Sequence, residues 1–352
     1  YYSVIGGWVI KYFSTSLTGH TADAAKDTYF NTFVGGLSEP IFWFLLFVIL
    51  TAVVVIFGVE KGIENVSKFL MPVLVVLTLG ICVYVLTQKG AIDGLKYYLL
   101  PHMSDFSIKT LLAAMGQLFY SMSLAMGIMI TYGSYMKKET NLGTSVKQIE
   151  FFDTGFAFFA GLMIVPSVFI FSEGNLEQLK AGPSLMFVTL PKVFNSMPIG
   201  DIIGAVFFLL VFFAALTSSI SLMETIVSIL MDKFKWGRKM TCIIVFVYVI
   251  LMGIPSSLGF GVWDFIKPLG MSILDAWDFL SNSVLMPIVA LITCIFVGFF
   301  IKPKTIIDEA CAEGAKFKSK GLFTVMIKWI APIFLVAILL SSVMNAFGII
   351  TL

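Results

Sequence analysis

Residues 116–127, GQLFYSMSLAMG, lie inside an apolar segment long enough to cross a membrane, yet they suit an unbroken helix poorly. The stretches around them, residues 111–118 and 128–130, are compatible with hydrocarbon, whereas Ser121, Ser123 and the two glycines leave backbone groups that lipid cannot satisfy. Such an interruption is tolerated only where protein or a water-lined cavity encloses it. The sequence therefore predicts a helix broken near residues 121–125. A second polar island, Thr217, Ser218 and Ser219 in FFAALTSSIS, interrupts another apolar stretch at similar depth.

The rest of the chain is membrane material. Of its 352 residues 59% are hydrophobic and 12% charged, with a mean hydropathy of +0.98; a soluble domain carries roughly a quarter charged residues. The composition implies an all-α polytopic membrane protein, with the lipid bilayer as its first partner. A net charge of +2 and the lack of basic runs with interleaved aromatics exclude nucleic acid as a partner. Cys82, Cys242 and Cys294 fall in apolar segments and Cys311 in a charged loop, so no disulfide framework is expected. The opening YYSVIGGWVIKYF has no initiator Met and resembles the inside of a helix rather than a signal peptide, so the N-terminus is expected to be truncated.

Nine apolar stretches of spanning length, about 20 residues each, occur near 1–16, 40–58, 70–88, 110–136, 148–172, 200–231, 239–257, 273–301 and 326–350. Lysine and arginine concentrate in the loops after Phe57, Tyr135, Leu230 and Phe300, which the positive-inside bias places in the cytoplasm. The alternate loops hold Asp23, Asp27, Glu39, Asp93, Asp105, Glu173, Glu177, Asp201, Asp264 and Asp275 and face outward. One of them, 173–199, contains the amphipathic PSLMFVTLPKVF, read either as a short helix plugging an outer vestibule or as an ordinary loop helix packed on the bundle.

Polar groups at membrane depth are costly and mark interiors or aqueous pathways. A break near Ser121 frees carbonyls suited to a small cation and, at the start of the following half-helix, amides suited to a carboxylate. The plainer reading is that Ser121 and Ser123 only bond back to the preceding turn. Ala214, Thr217 and Ser218, spaced i, i+3, i+4, put one carbonyl and two hydroxyls on one helix face. Uncharged oxygen ligands fit a weakly held monovalent cation better than a divalent one, although hydroxyl pairs also glue helices together. Asp153, inside IEFFDTGFAFFAG, is either matched by a cation or caps a helix N-terminus. Glu224, six residues past Ser218, either pairs with a base or takes a proton. His20 and His102 have no companion at metal-ligand spacing, and no nucleophile–base pair, phosphate loop or paired catalytic carboxylates stands out, so no enzyme is indicated. Two polar islands at one depth instead suit a small solute and cations held at the bilayer midplane, as in secondary transporters.

The segments YYSVIGGW, GVEKGIENVSKFLMP, GQLFYSMSLAMGIMITYGSY, FFAALTSSISLMET and LDAWDFL, in that order, closely resemble the bacterial branch of the neurotransmitter:sodium symporter family. The resemblance runs along essentially the whole chain. It implies an inverted-repeat fold of the leucine-transporter type, in which the visible spans resemble helices three to eleven and residues 1–352 form one transporter domain without the family's first two helices.

Carried over residue by residue, the resemblance makes Tyr2 a hydroxyl partner of the substrate carboxylate and Tyr120 an aromatic lid. Ser121 becomes a ligand of a first sodium ion, Ser123 and Met126 pocket wall, and Leu222 the pocket's apolar side. Ala214, Thr217 and Ser218 become ligands of a second sodium ion, with Ser218 also facing substrate. Asp278 resembles the acidic half of an outer gate. Aligning on Gly161 puts Asp153 at a first-site ligand position and Ala157 where chloride-independent relatives often carry an acid; Asp153 would then supply the charge that chloride supplies elsewhere. Met126 stands where some relatives carry an aromatic, and a flexible thioether suits a broad pocket. Gly62 and Pro72 bracket nine residues that resemble a segment able to unwind and admit water to the second sodium site; the plain alternative is a loop-to-helix boundary. The expected activity is sodium-driven import of a neutral, hydrophobic or aromatic amino acid by alternating access. The alternative is a sodium-dependent sensor or inactive paralogue that binds without transporting.

Overall fold

The computed structural model describes residues 1–101, 103, 106–137, 139–172, 182–311 and 317–347. Among these the regular structure is entirely helical. In chain order the long elements are α1 (Tyr2–Leu17), α2 (Ser38–Ile56), α3 (Val59–Leu86), α4 (Ile108–Ser121), α5 (Ile128–Tyr135), α6 (Leu142–Phe171), α7 (Gly200–Phe234), α8 (Arg238–Leu258), α9 (Ile273–Ile301) and α10 (Lys320–Ala346). Seven of them, α2, α3 and α6 to α10, are each long and apolar enough to cross a membrane alone. The remaining two expected spans are α1, with 16 residues, and the interrupted pair α4 and α5.

The chain divides into two compact units, each assembled from two stretches: residues 1–101 with 157–275, and residues 102–156 with 276–352. In the first unit α1 packs most extensively against α7 and α2. Lipid and protein interiors are about equally apolar, so membrane helices gain by close contact through small residues. Gly6 and Gly7 do this for α1: a methyl at Gly6 would lie 2.6 Å from the Phe47 ring, and one at Gly7 would lie 2.6 Å from the Phe44 backbone nitrogen. Gly253 on α8 admits the other side of Phe44. A buried aromatic group joins Trp8 and Tyr12 of α1 to Phe208 of α7 through Phe187.

Phe187 belongs to the short apolar helix Leu185–Asn195, whose Leu190, Val193 and Phe194 are buried and whose Phe187 carbonyl accepts the Tyr12 hydroxyl at 2.9 Å. This helix packs on the first unit, as the loop-helix reading of PSLMFVTLPKVF expects. The preceding residues, with Glu173 and Glu177, lie outside the described residues, as do His102, Asp105, Lys138 and Lys316.

The second unit holds α4, α5, the first half of α6, most of α9 and α10, around a smaller core of Ala290, Cys294 and Leu335. Its helices are less regular. α9 carries wide π-type turns at Phe279–Leu285 and Phe296–Ile301, and α10 another at Met326–Ile330; such turns recur at functional positions.

Candidate functional site

The predicted break is present. α4 begins with a reciprocal cap between Ser107 and Thr110 and ends at Ser121, and α5 resumes at Ile128. Between them Ser123 (φ 55°), Ala125 (φ 62°) and Gly127 (φ 78°) are left-handed, which costs a residue bearing a Cβ about 1–2 kcal/mol. Gly127 is the last residue before α5 and carries its conformation without that penalty. Gly116, at the other end of the motif, is an ordinary helical residue of α4. Amides of Met122, Ser123 and Leu124 fold back onto the carbonyls of Leu118, Tyr120 and Phe119 at 3.0–3.2 Å, so the end of α4 is hydrogen-bonded rather than frayed. Tyr120 sits in the last turn of α4, and Ser123 and Met126 lie in the break, all half-buried.

Asp153 faces this break. The Ser121 hydroxyl donates to Asp153 Oδ2 at 3.1 Å and is also 3.4 Å from the Leu118 carbonyl. α6 begins at Leu142, led by Asn141, whose side chain accepts the Thr144 amide at 3.0 Å. Asp153 therefore stands eleven residues into the helix, which sets aside the capping reading. Among the described residues it has no ion pair with a lysine, arginine or histidine.

The second island behaves differently. α7 runs unbroken for 35 residues, so the interruption is one of polarity and not of backbone. Thr217 donates to the carbonyls of Phe213 and Ala214 at 3.1 and 3.0 Å, and Ser218 to the Ala214 carbonyl at 3.1 Å. The oxygens of Ala214, Thr217 and Ser218 thus converge on one face, as their spacing predicts. Tyr2 opens α1, half-buried, and Leu222 lies one turn beyond Ser218, also half-buried. Ser219 points to another face, where its hydroxyl accepts from Thr51 of α2 at 3.1 Å in a buried contact. Of the predicted residues, the first unit holds Tyr2, Ala214, Thr217, Ser218 and Leu222, and the second holds Tyr120, Ser121, Ser123, Met126 and Asp153.

Glu224 is fully buried and pairs with Arg238 at the start of α8, through Nη1 at 3.2 Å and through Nη2. The same guanidinium donates to the Val55 carbonyl at the end of α2, from Nε at 2.9 Å and from Nη2 at 2.8 Å. Of the two readings of Glu224, pairing with a base is the one realised. Arg238 was legible only as one basic residue in a basic loop. Next to this clamp, Gly62 lies in the π-type first turn of α3, where a Cβ would meet the Val54 carbonyl at 2.2 Å. Pro72 stands inside the helical run Asn65–Leu86, thirteen residues past the start of α3, so it does not mark a loop-to-helix boundary.

Asp278, in α9, accepts the Asn282 side-chain amide at 2.7 Å. His20 is exposed, with Nδ1 3.1 Å from the Thr18 hydroxyl. Among the described residues no group of three histidines, cysteines or carboxylates is placed to hold a metal ion.

The profile of the sodium:neurotransmitter symporter family matches residues 31–349. The chain belongs to that family. An uncharacterised sodium-dependent transporter of Haemophilus influenzae is 35% identical, the alignment covering 97% of this chain and 75% of that protein. One from Bacillus subtilis is 32% identical over 97% of this chain and 76% of that one. The crystal structure of MhsT in complex with L-phenylalanine superposes with a TM-score of 0.83 at 38% identity, covering 97% of this chain and 77% of that one. The fold is thus the inverted-repeat, leucine-transporter type that the motifs imply, with visible helices resembling its third to eleventh. Membership makes the chain a multi-pass sodium-dependent symporter by family, and that family transports rather than catalyses.

Proposed function

We propose that the protein imports a neutral, hydrophobic or aromatic amino acid together with two sodium ions, by alternating access across the cell membrane. The observation that carries this reading is Asp153, a carboxylate in the middle of a membrane helix that meets the Ser121 hydroxyl at the left-handed break and has no basic partner among the described residues. A charge at that depth needs compensation, and a sodium ion between Ser121 and Asp153 provides it. Ala214, Thr217 and Ser218 offer the second ion its uncharged oxygens. With Asp153 supplying fixed negative charge, transport does not require chloride.

The half-buried Met126, a flexible thioether in the break, and the phenylalanine bound to MhsT support this substrate class. In this reading Tyr2 and the start of α5 address the carboxylate, Tyr120 closes over it and Asp278 serves an outer gate. The loops after Phe57, Tyr135, Leu230 and Phe300 face the cytoplasm, where the residues between Gly62 and Pro72 open the inner path. Moving one charge through 100 mV releases about 2.3 kcal/mol, and a tenfold sodium gradient adds about 1.4 per ion. Two ions then supply about 7 kcal/mol, enough for a substrate gradient on the order of 10⁵.

Uptake of radiolabelled L-phenylalanine into proteoliposomes tests this. An inward sodium gradient should drive accumulation above equilibrium, equally with chloride or gluconate as anion. Binding without accumulation would refute transport, and accumulation without a sodium gradient would refute the coupling.

A further inference from the structure

Where α9 ends and α10 begins, the second unit contains a pocket of about 360 Å³ lined by Lys302, Lys304 and Lys328 with Phe299, Ile307 and Thr324. That volume is at the lower end of the range for ligand sites. Among the described residues no carboxylate lines it, and none of the three lysines has an ion-pair partner. Three ammonium groups around one cavity repel one another, and an anion relieves that repulsion.

The backbone is adapted to the arrangement. Lys302, at the junction between α9 and the helix Pro303–Ala310, holds φ 71°, a conformation that costs a residue with a Cβ and that clusters at functional sites. Both flanks of the pocket are π-type turns, Phe296–Ile301 and Met326–Ile330. Gly298 lets the Lys328 stem cross α9, since a Cβ there would lie 3.3 Å from Lys328 Cγ, and Lys328 Nζ then sits 5.7 Å from the Phe299 ring centre.

We propose that this pocket binds a phosphate oxyanion, and specifically the headgroup of an anionic phospholipid. The lipid source is favoured by the margin of the pocket: Trp329, whose ring meets that of the lining Phe299 edge-on at 5.9 Å, is 60% exposed, an apolar rim that acyl chains would cover and that a free phosphate ion would leave bare. Basic pockets beside membrane helices take anionic headgroups in this way.

The test is native mass spectrometry of the purified protein equilibrated with equal phosphatidylglycerol and phosphatidylcholine, with and without excess inorganic phosphate. The parent should retain phosphatidylglycerol preferentially, and the preference should survive the phosphate. At about fivefold per basic residue near a membrane surface, Lys302→Gln/Lys304→Gln/Lys328→Gln should lose it by about a hundredfold, while Lys61→Gln/Lys68→Gln keeps it. An unchanged preference in the triple variant would overturn the site, and displacement of the lipid by inorganic phosphate would overturn the lipid as its occupant. Should the triple variant fail to fold, Lys304→Gln, which changes an exposed side chain, must still lower retention about fivefold, and Lys302→Arg/Lys304→Arg/Lys328→Arg must preserve it.

Discussion

The two polar islands have similar composition and opposite outcomes. Around Ser121 the backbone leaves the helix for six residues; around Thr217 it does not leave at all. In α7 the Thr217 and Ser218 hydroxyls each find a carbonyl three or four residues back and Ser219 meets Thr51 of α2, so the helix absorbs the polar residues without loss of its own ladder. Between α4 and α5, Gly127 removes the penalty of one left-handed residue and the amides of 122–124 close the end of α4, so a break becomes affordable. Hydroxyls alone do not interrupt a membrane helix; a left-handed glycine and a hydrogen-bonded terminus do. The carboxylates differ likewise. Glu224 on α7 is matched by a guanidinium, whereas Asp153 opposite the break meets a hydroxyl and has no basic partner among the described residues.

The largest effect should come from the matched carboxylate. Arg238→Met removes the guanidinium that pairs with the fully buried Glu224 and donates to the Val55 carbonyl, and such a change costs about 3–5 kcal/mol. The thermal unfolding midpoint should fall sharply and be partly restored in Arg238→Met/Glu224→Met; equal destabilisation of the single and double variants would show that the two do not act as a pair. Next is the unbroken island. Thr217→Val/Ser218→Ala removes two hydroxyls that donate to carbonyls within α7, so helix content should hold while sodium affinity drops about tenfold or more, roughly 1.4 kcal/mol. An unchanged sodium affinity would remove the second ion from α7.

Smaller effects separate the glycines. Gly127→Ala puts a Cβ at φ 78° and should destabilise by about 1 kcal/mol. Gly116→Ala, with nothing within 4 Å of the new methyl, should stabilise α4 by up to about 1 kcal/mol through helix propensity. If thermal denaturation ranked the two the other way round, the break would not depend on Gly127.

Much of this was legible before the structure, for identifiable reasons. The break could be read because glycine and serine cannot be reconciled with lipid, and the face shared by Ala214, Thr217 and Ser218 followed from helical spacing alone. The start of α6 was misplaced by six residues, because its first turns, LGTSVKQIE, are polar and hydropathy rises only at Phe151; hence Asp153 resembled a cap. The partner of Glu224 was not identifiable, since Arg238 follows a chain reversal at Lys235 (φ 57°) and sits among three lysines in the sequence. The π-type turns and the strained Lys302 leave no pattern in composition or periodicity; only a cluster of lysines signalled that end of α9.

The central claim is that Asp153 and Ser121 hold a sodium ion at the break. Sodium titration of L-phenylalanine binding to the parent and to Asp153→Asn, in gluconate and again in chloride, tests it directly. In gluconate the variant should need about tenfold more sodium or more, with chloride restoring part of the loss; titration curves that coincide with the parent's in both salts would contradict the account.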